Sequence, residues 1–188
     1  MKYSQKKFVI LFLGLLCFLL TLFCVNLKKH RSIDDVFLFA SNGDIEALKR
    51  YCKEEYFYIK NDWGRTPVFY AKNPETLDFF IQRGIDVNRC VDNEGVSLLE
   101  HFCMTDKTDN IKKILPYVKN INSQDVEGGT ALVWAIIRGN FQIVKLLLLN
   151  GADPNLKLSN GMNAIDVAKK SINKKQNIID ILEEKIND

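Results

Sequence analysis

With 188 residues, 47% of them hydrophobic and 26% charged, the chain has room for one folded domain and one further segment. Its 26 lysines and arginines exceed its 23 acidic residues by three, but six of the basic residues and none of the acidic ones fall in residues 1–31. The remainder holds 20 basic against 23 acidic residues, a net charge of −3, and so lacks the basic footprint of a nucleic-acid-binding domain.

Residues 1–7 form a basic segment with Lys2, Lys6 and Lys7, and residues 8–25 carry no charged side chain. An uncharged run of that length reaches the lower limit for crossing a bilayer and exceeds the usual signal-peptide core of roughly 7–15 residues. No Ala-x-Ala-like site follows it, and Phe23 precedes Cys24 where lipid attachment requires a small residue. The expectation is an uncleaved transmembrane signal anchor over residues 8–27 and a linker over 28–32. The alternative is a cleaved signal that leaves a soluble periplasmic or secreted protein. Lys2, Lys6, Lys7 and the amino terminus oppose Lys28, Lys29 and Arg31, which Asp34 and Asp35 follow closely, so the positive-inside balance tilts slightly to an inside N-terminus. In a bacterium this predicts a single-pass inner-membrane protein with its folded part in the periplasm.

From residue 33 onward the chain alternates short apolar blocks with turn residues. The clearest stretch is Gly128 to Asn155, where Thr130 can cap a first helix closed by Gly139, and Phe141 to Leu149 form a second helix stopped by Gly151. The second block places Ile143, Leu146 and Leu147 on one face. Blocks this short are marginal as isolated helices and must lean on neighbours. The pattern recurs accordingly: Thr66, Ser97, Thr130 and Asn163, each two residues after a glycine, lie 31, 33 and 33 residues apart. Asp86-Val87-Asn88, Asn120-Ile121-Asn122 and Asp153-Pro154-Asn155 recur behind the second blocks at intervals of 34 and 33.

A period near 33 carrying a turn and two helices resembles the ankyrin repeat. Asp125, Gly128, Thr130, Leu132, Ala135, Gly139, Ile143, Leu146, Leu147, Gly151, Ala152, Asp153 and Asn155 stand where that family has them, and Thr66 to Ala71 is similar to its Thr-Pro-Leu-His-x-Ala. The resemblance implies an all-α solenoid of helix-turn-helix units with β-hairpin-like loops over residues 33–188. Its units are an N-terminal cap at 33–60, then 61–91, 92–124 and 125–157, and a C-terminal cap at 158–188. The last is expected to expose Lys169, Lys170, Lys174, Lys175, Glu183 and Glu184. Two units depart from the pattern. The second is about three residues short and lacks the inter-helix glycine, with Asn73 as cap and Pro74 at the first helical position to make the turn. In the third, Met104 to Asp109 replaces the glycine turn and Pro116 cuts the second helix before Val118.

Catalytic chemistry finds no support in the sequence. Of two histidines, His101 adjoins Glu100, but adjacent helical residues point about 100° apart and no further ligand is near, so a structural histidine is expected. The glycines form no phosphate-binding motif. Cys52, Cys90 and Cys103 leave a disulfide possible but unforced; Cys103 reads as a small buried hydrophobe and Cys90 as an exposed hairpin residue. No metal, cofactor or small-molecule substrate is expected. The resemblance implies instead a non-enzymatic protein-protein interaction module, with the contact surface at the hairpin tips and first helices: Asp62, Trp63 and Arg65; Asn93, Glu94 and Val96; Val126 and Glu127; Ile137 and Arg138; Ser159, Asn160 and Met162. Envelope scaffold or accessory factor of a neighbouring enzyme, immunity protein neutralising a toxin in a bacterial envelope, and secreted effector are the roles it leaves open.

Overall fold

The computed structural model describes residues 33–171 and 176–187, with side chains to Lys185. Lys174, Lys175 and the whole of the segment expected to span a membrane, 8–27, lie outside the described residues. No helix among the described residues is long and apolar enough to cross a membrane.

Helices pair in chain order. Helix α1 (residues 33–42) turns at Gly43 into α2 (Ile45–Tyr51), whose N-terminus is capped by Asp44 accepting from the Ala47 amide at 2.9 Å. The fourth pair follows the sequence pattern closely. Thr130 caps α6 (Ala131–Arg138), Gly139 closes it in the left-handed region at φ 69°, and Asn140 caps α7 (Phe141–Leu149). The last pair is α8 (Ala164–Lys170), opened by a reciprocal Asn163–Asp166 capping box, and α9 (Gln176–Asn187); Lys169 on α8 holds Glu183 on α9 at 2.8 Å.

The two irregular pairs solve the turn differently. Ten residues separate Thr130 from Asn140, but only seven separate Thr66 from Asn73, and the expected first helix shrinks to a single 3-10 turn, Pro67–Tyr70. Helix α3 (Pro74–Gln82) then starts as expected, with Asn73 accepting from the Thr76 amide and hydroxyl. The Ala71 carbonyl finds its donors in the next pair, Lys107 Nζ at 2.6 Å and buried Asn110 Nδ2 at 3.0 Å. In that next pair, α4 (Leu98–Met104) and α5 (Thr108–Ile114) are joined by Asp106 at φ 56°, in the conformation that Gly139 adopts one pair later. Aspartate tolerates this region better than most residues because its short side chain bonds locally. Here the carboxylate reaches across instead, accepting from Arg138 Nε and Asn140 Nδ2, both at 3.3 Å. Pro116 ends α5 at Ile114 in a 3-10 turn, as its ring requires.

Helices α4, α6 and α8 stack in one row and α3, α5, α7 and α9 in a second, with a continuous apolar core between them. Phe69, Phe80, Phe102, Ile111, Leu132, Ile143 and Leu147 are among its largest fully buried members. The buried stripe of α7 is Ile143, Val144, Leu147 and Leu148; Leu146, expected on that face, is half-buried, because α7 packs on α6 and is flanked by α5 and α9, which leaves Leu146 at the stripe's edge. Cys52, Cys90 and Cys103 are free and buried, which corrects the expectation of an exposed Cys90; the chain turns inward there, and burial pushes its thiol up to about 11. The architecture is all-helical, with no strand among the described residues; the hairpin-like loops carry only an isolated antiparallel bridge between Val91 and Ser97.

Candidate functional site

Four loops, 61–65, 92–96, 125–129 and 158–162, project from the stack as tips. The first three share one internal device. Asn61 Oδ1 accepts from the Trp63 and Arg65 amides, Asp92 Oδ1 from those of Glu94 and Val96, and Asp125 Oδ1 from those of Glu127 and Gly129, all at 2.8–3.2 Å. A single side-chain oxygen thus satisfies two amides and fixes the loop before any partner arrives. Leu158 stands at this place in the fourth tip, where Asn160 accepts from the Met162 amide instead. At the crown, Gly128 has φ +79°, and a Cβ there would sit 2.9 Å from the Leu158 Cα of the next tip.

The tips form one row. The Asn93 amide donates to the Trp63 carbonyl at 3.1 Å, Val126 to Glu94 at 3.0 Å and Ser159 to Glu127 at 2.8 Å. Gln124 Nε2 reaches the Lys157 carbonyl and Lys60 Nζ the Val91 carbonyl, tying adjacent tips again. Behind the outer helices, the recurring asparagines zip pair to pair: Asn88 Oδ1 accepts from the Lys119 amide and Asn122 Oδ1 from the Asp153 amide.

Against this frame the expected site residues separate. Asp62, Trp63, Asn93, Glu94, Val126, Glu127, Ser159 and Asn160 are exposed on the tips, Trp63 to 65% and Val126 to 71%. Arg65 is mostly covered, its Nε donating to Asp92 Oδ2 at 3.1 Å. Val96 is only 2% exposed, a correction: its amide is bound by Asp92 within the tip and its side chain is covered, although it is not part of the contiguous apolar core. Met162 is half-buried against the core, its sulfur accepting from Lys170 Nζ. Ile137 and Arg138 are exposed at the far end of α6, about 12 Å along the helix from the tips at 1.5 Å per residue, and Arg138 pairs with Asp106. The tip residues are brought together; the α6 pair stands apart beside the inter-helix turn.

A group absent from the sequence expectation lies between. Tyr70, His101 and Trp134 each follow Thr66, Ser97 and Thr130 by four residues, and all three are half-buried. Asn61 Nδ2 donates to the Tyr70 hydroxyl at 2.7 Å and Trp134 Nε1 donates to Asp125 Oδ2 at 3.1 Å, so two tips are tied to this aromatic position. The constant four-residue offset was the signal available in the sequence. Burial, then the nearby Arg65 and Lys107 cations, pull His101 down to about 4, and its ring meets Phe69 edge-on at 5.2 Å. Neighbouring Glu100 is fully buried, accepts from the Ser97 amide and Ser123 hydroxyl, and is pushed up to about 7 chiefly by burial. Its role is to cap α4 and clamp the pair's exit. No cluster of three or more metal-ligating side chains occurs among the described residues.

Comparison with known proteins follows the same lines. The family described as ankyrin repeats, in three copies, matches residues 71–158 and again 99–187. Similar curated proteins include an ankyrin repeat protein of Acanthamoeba polyphaga mimivirus, 32% identical over 52% of this chain and 13% of its own length. An ankyrin repeat domain-containing protein of monkeypox virus is 26% identical over 78% of this chain and 36% of its own. An ankyrin repeat protein of Rickettsia bellii is 27% identical over 73% of this chain and 80% of its own. The first two relatives are thus matched over well under half their length. With the family match spanning more than half of its residues and the stacked helix pairs to go with it, the chain belongs to the ankyrin-repeat family, and its repeats indicate a protein-protein interaction module.

Proposed function

We propose that residues 8–27 anchor this chain in a membrane and that its repeats, divided at 33–60, 61–91, 92–124, 125–157 and 158–188, hold a partner protein through their tips. The observation that carries the reading is the tip row itself. Its loops are fixed internally by Asn61, Asp92 and Asp125 and bonded to one another, yet they leave Trp63 and Val126 in water. A preorganised surface with an exposed aromatic loses little entropy on binding, and tryptophan is prominent among binding hot spots. The uncharged run at 8–25 between basic flanks supports the anchor, and the slight charge tilt supports repeats on the periplasmic side of a bacterial inner membrane.

The test uses the full chain. It is expected to remain in the membrane fraction through alkaline and high-salt washing; recovery of a shortened soluble product favours a cleaved signal. Extracted in detergent and used as bait, it is expected to capture a partner that the Trp63→Ala variant captures at least about thirtyfold more weakly, the loss of a hot spot of roughly 2 kcal/mol. Undiminished capture by that variant rejects the tip surface.

A further inference from the structure

The tip row carries unpaired charge of one sign. Asp62, Glu94 and Glu127 are exposed on three successive tips, and none has an ionic partner among the described residues. Of the cations beside these three tips, Arg65 is paired with Asp92 and Lys60 donates to the Val91 carbonyl; Lys157, exposed just before the fourth tip, has no ion pair among the described residues, so the free carboxylates outnumber it three to one. Beside the carboxylates stand the exposed Trp63 and Val126. A partner that is both cationic and apolar complements this combination, and an acidic one is repelled.

The ladder also sets a spacing. Trp63, Glu94 and Glu127 occupy the same place in consecutive tips, since the carbonyl of each accepts the amide of the following tip. Packed helices lie about 8–10 Å apart, so this place recurs along the row at about that interval. An extended polyproline II segment turns once in three residues and rises about 3.1 Å per residue, which returns a side chain to the same face about every 9 Å.

We infer that the tip row binds an extended segment of a partner protein with lysine or arginine at every third position. One cation lies over the Trp63 ring beside Asp62, the next meets Glu94 and the third meets Glu127, while an intervening apolar residue covers Val126. This rests on the tips being the binding face.

The experiment measures fluorescence anisotropy of labelled probe peptides titrated with the full chain in detergent at physiological salt. Two probes share length, composition and charge in a proline- and serine-rich background; one places arginine at every third position, the other places its arginines together. The spaced probe is expected to bind about tenfold more tightly, and Glu94→Gln and Glu127→Gln each to weaken it about threefold or more. Glu54→Gln and Glu184→Gln, which remove exposed carboxylates elsewhere, are expected to leave it unchanged, with circular dichroism identical throughout. Equal affinity for the two probes, or equal losses from tip and control variants, overturns the inference. The captured partner separates the two readings. Binding that falls with Trp63→Ala but ignores Glu94→Gln and Glu127→Gln overturns the basic segment and keeps the tip surface; binding that ignores all three overturns both.

Discussion

The α6–α7 pair and the two pairs before it reach similar geometry by different routes. Between α6 and α7 the turn is closed locally, by Gly139 in the left-handed region and by Asn140 as cap. In the preceding pairs neighbours add to the closure: Lys107 and Asn110 satisfy the Ala71 carbonyl, and Asp106, whose turn keeps the local backbone bonds from Asp106 to Cys103 and from Lys107 to Phe102, is also held by Arg138 and Asn140. A repeat can therefore lose its consensus turn residues without losing its place in the stack, provided that the next repeat supplies the missing bonds. This fits the nearest-neighbour character of repeat stability.

The contrast can be broken or sharpened by substitution. The largest effect is expected in the regular pair, where Leu147→Ala removes a fully buried side chain of α7 and lowers stability by about 2–5 kcal/mol in denaturant unfolding. Leu146→Ala, at the half-buried edge of the same helix, is expected to lose less; the reverse order would place the buried stripe of α7 wrongly.

Titration of the third pair comes next. Glu100 is raised from 4.5 to about 7 by burial, so its carboxyl binds a proton more readily folded than unfolded. Its contribution is present below about 4.5 and is lost as pH rises towards 7, with a slope of at most about 1.4 kcal/mol per pH unit. His101 is lowered from 6.5 to about 4, so its contribution is present above 6.5 and is lost as pH falls towards 4. Between these limits the two adjacent residues oppose each other. Glu100→Gln is expected to leave stability rising with pH over that window and His101→Phe to leave it falling. Slopes of the same sign in both variants would contradict the assignment.

Smaller changes are expected at the neighbour-dependent turns. Asn110→Ala removes one buried donor from the Ala71 carbonyl while Lys107 remains, at a cost of about 1 kcal/mol. Asp106→Gly relieves the left-handed conformation but gives up the bonds to Arg138 and Asn140, so the two effects nearly cancel, within about 0.5 kcal/mol. Gly139→Ala, with no such exchange available, is expected to cost about 1–2 kcal/mol. Equal losses at Asp106 and Gly139 in thermal unfolding would mean that both turns are closed in the same way.

What the sequence reveals and conceals divides along the same line. Features set within a dozen residues are legible: the caps Thr130 and Asn73, Pro74 at a helix start, and Pro116 at a helix end. The period is legible because two independent motifs keep it. Features that depend on a residue one repeat away are not. Val96 reads as a tip residue, yet it is covered just before the Ser97 cap; Cys90 reads as a loop residue, yet it is buried in the core. Asp106 reads as loop polarity until Arg138 and Asn140 are seen beside it. The half-buried Tyr70, His101 and Trp134 were hidden for a similar reason, since their common offset gains meaning only once the tip side chains Asn61 and Asp125 are found bonded to two of them.

Amide hydrogen exchange of the full chain, with and without its captured partner, tests the tip surface most directly. Added protection is expected at Asp62 to Gly64, Asn93 to Gly95 and Val126 to Gly128, with the outer helices α5 and α7 unchanged. Protection gathered around Tyr117 and Leu149, which are also exposed but lie on the outer side, with the tips exchanging as before, would contradict it.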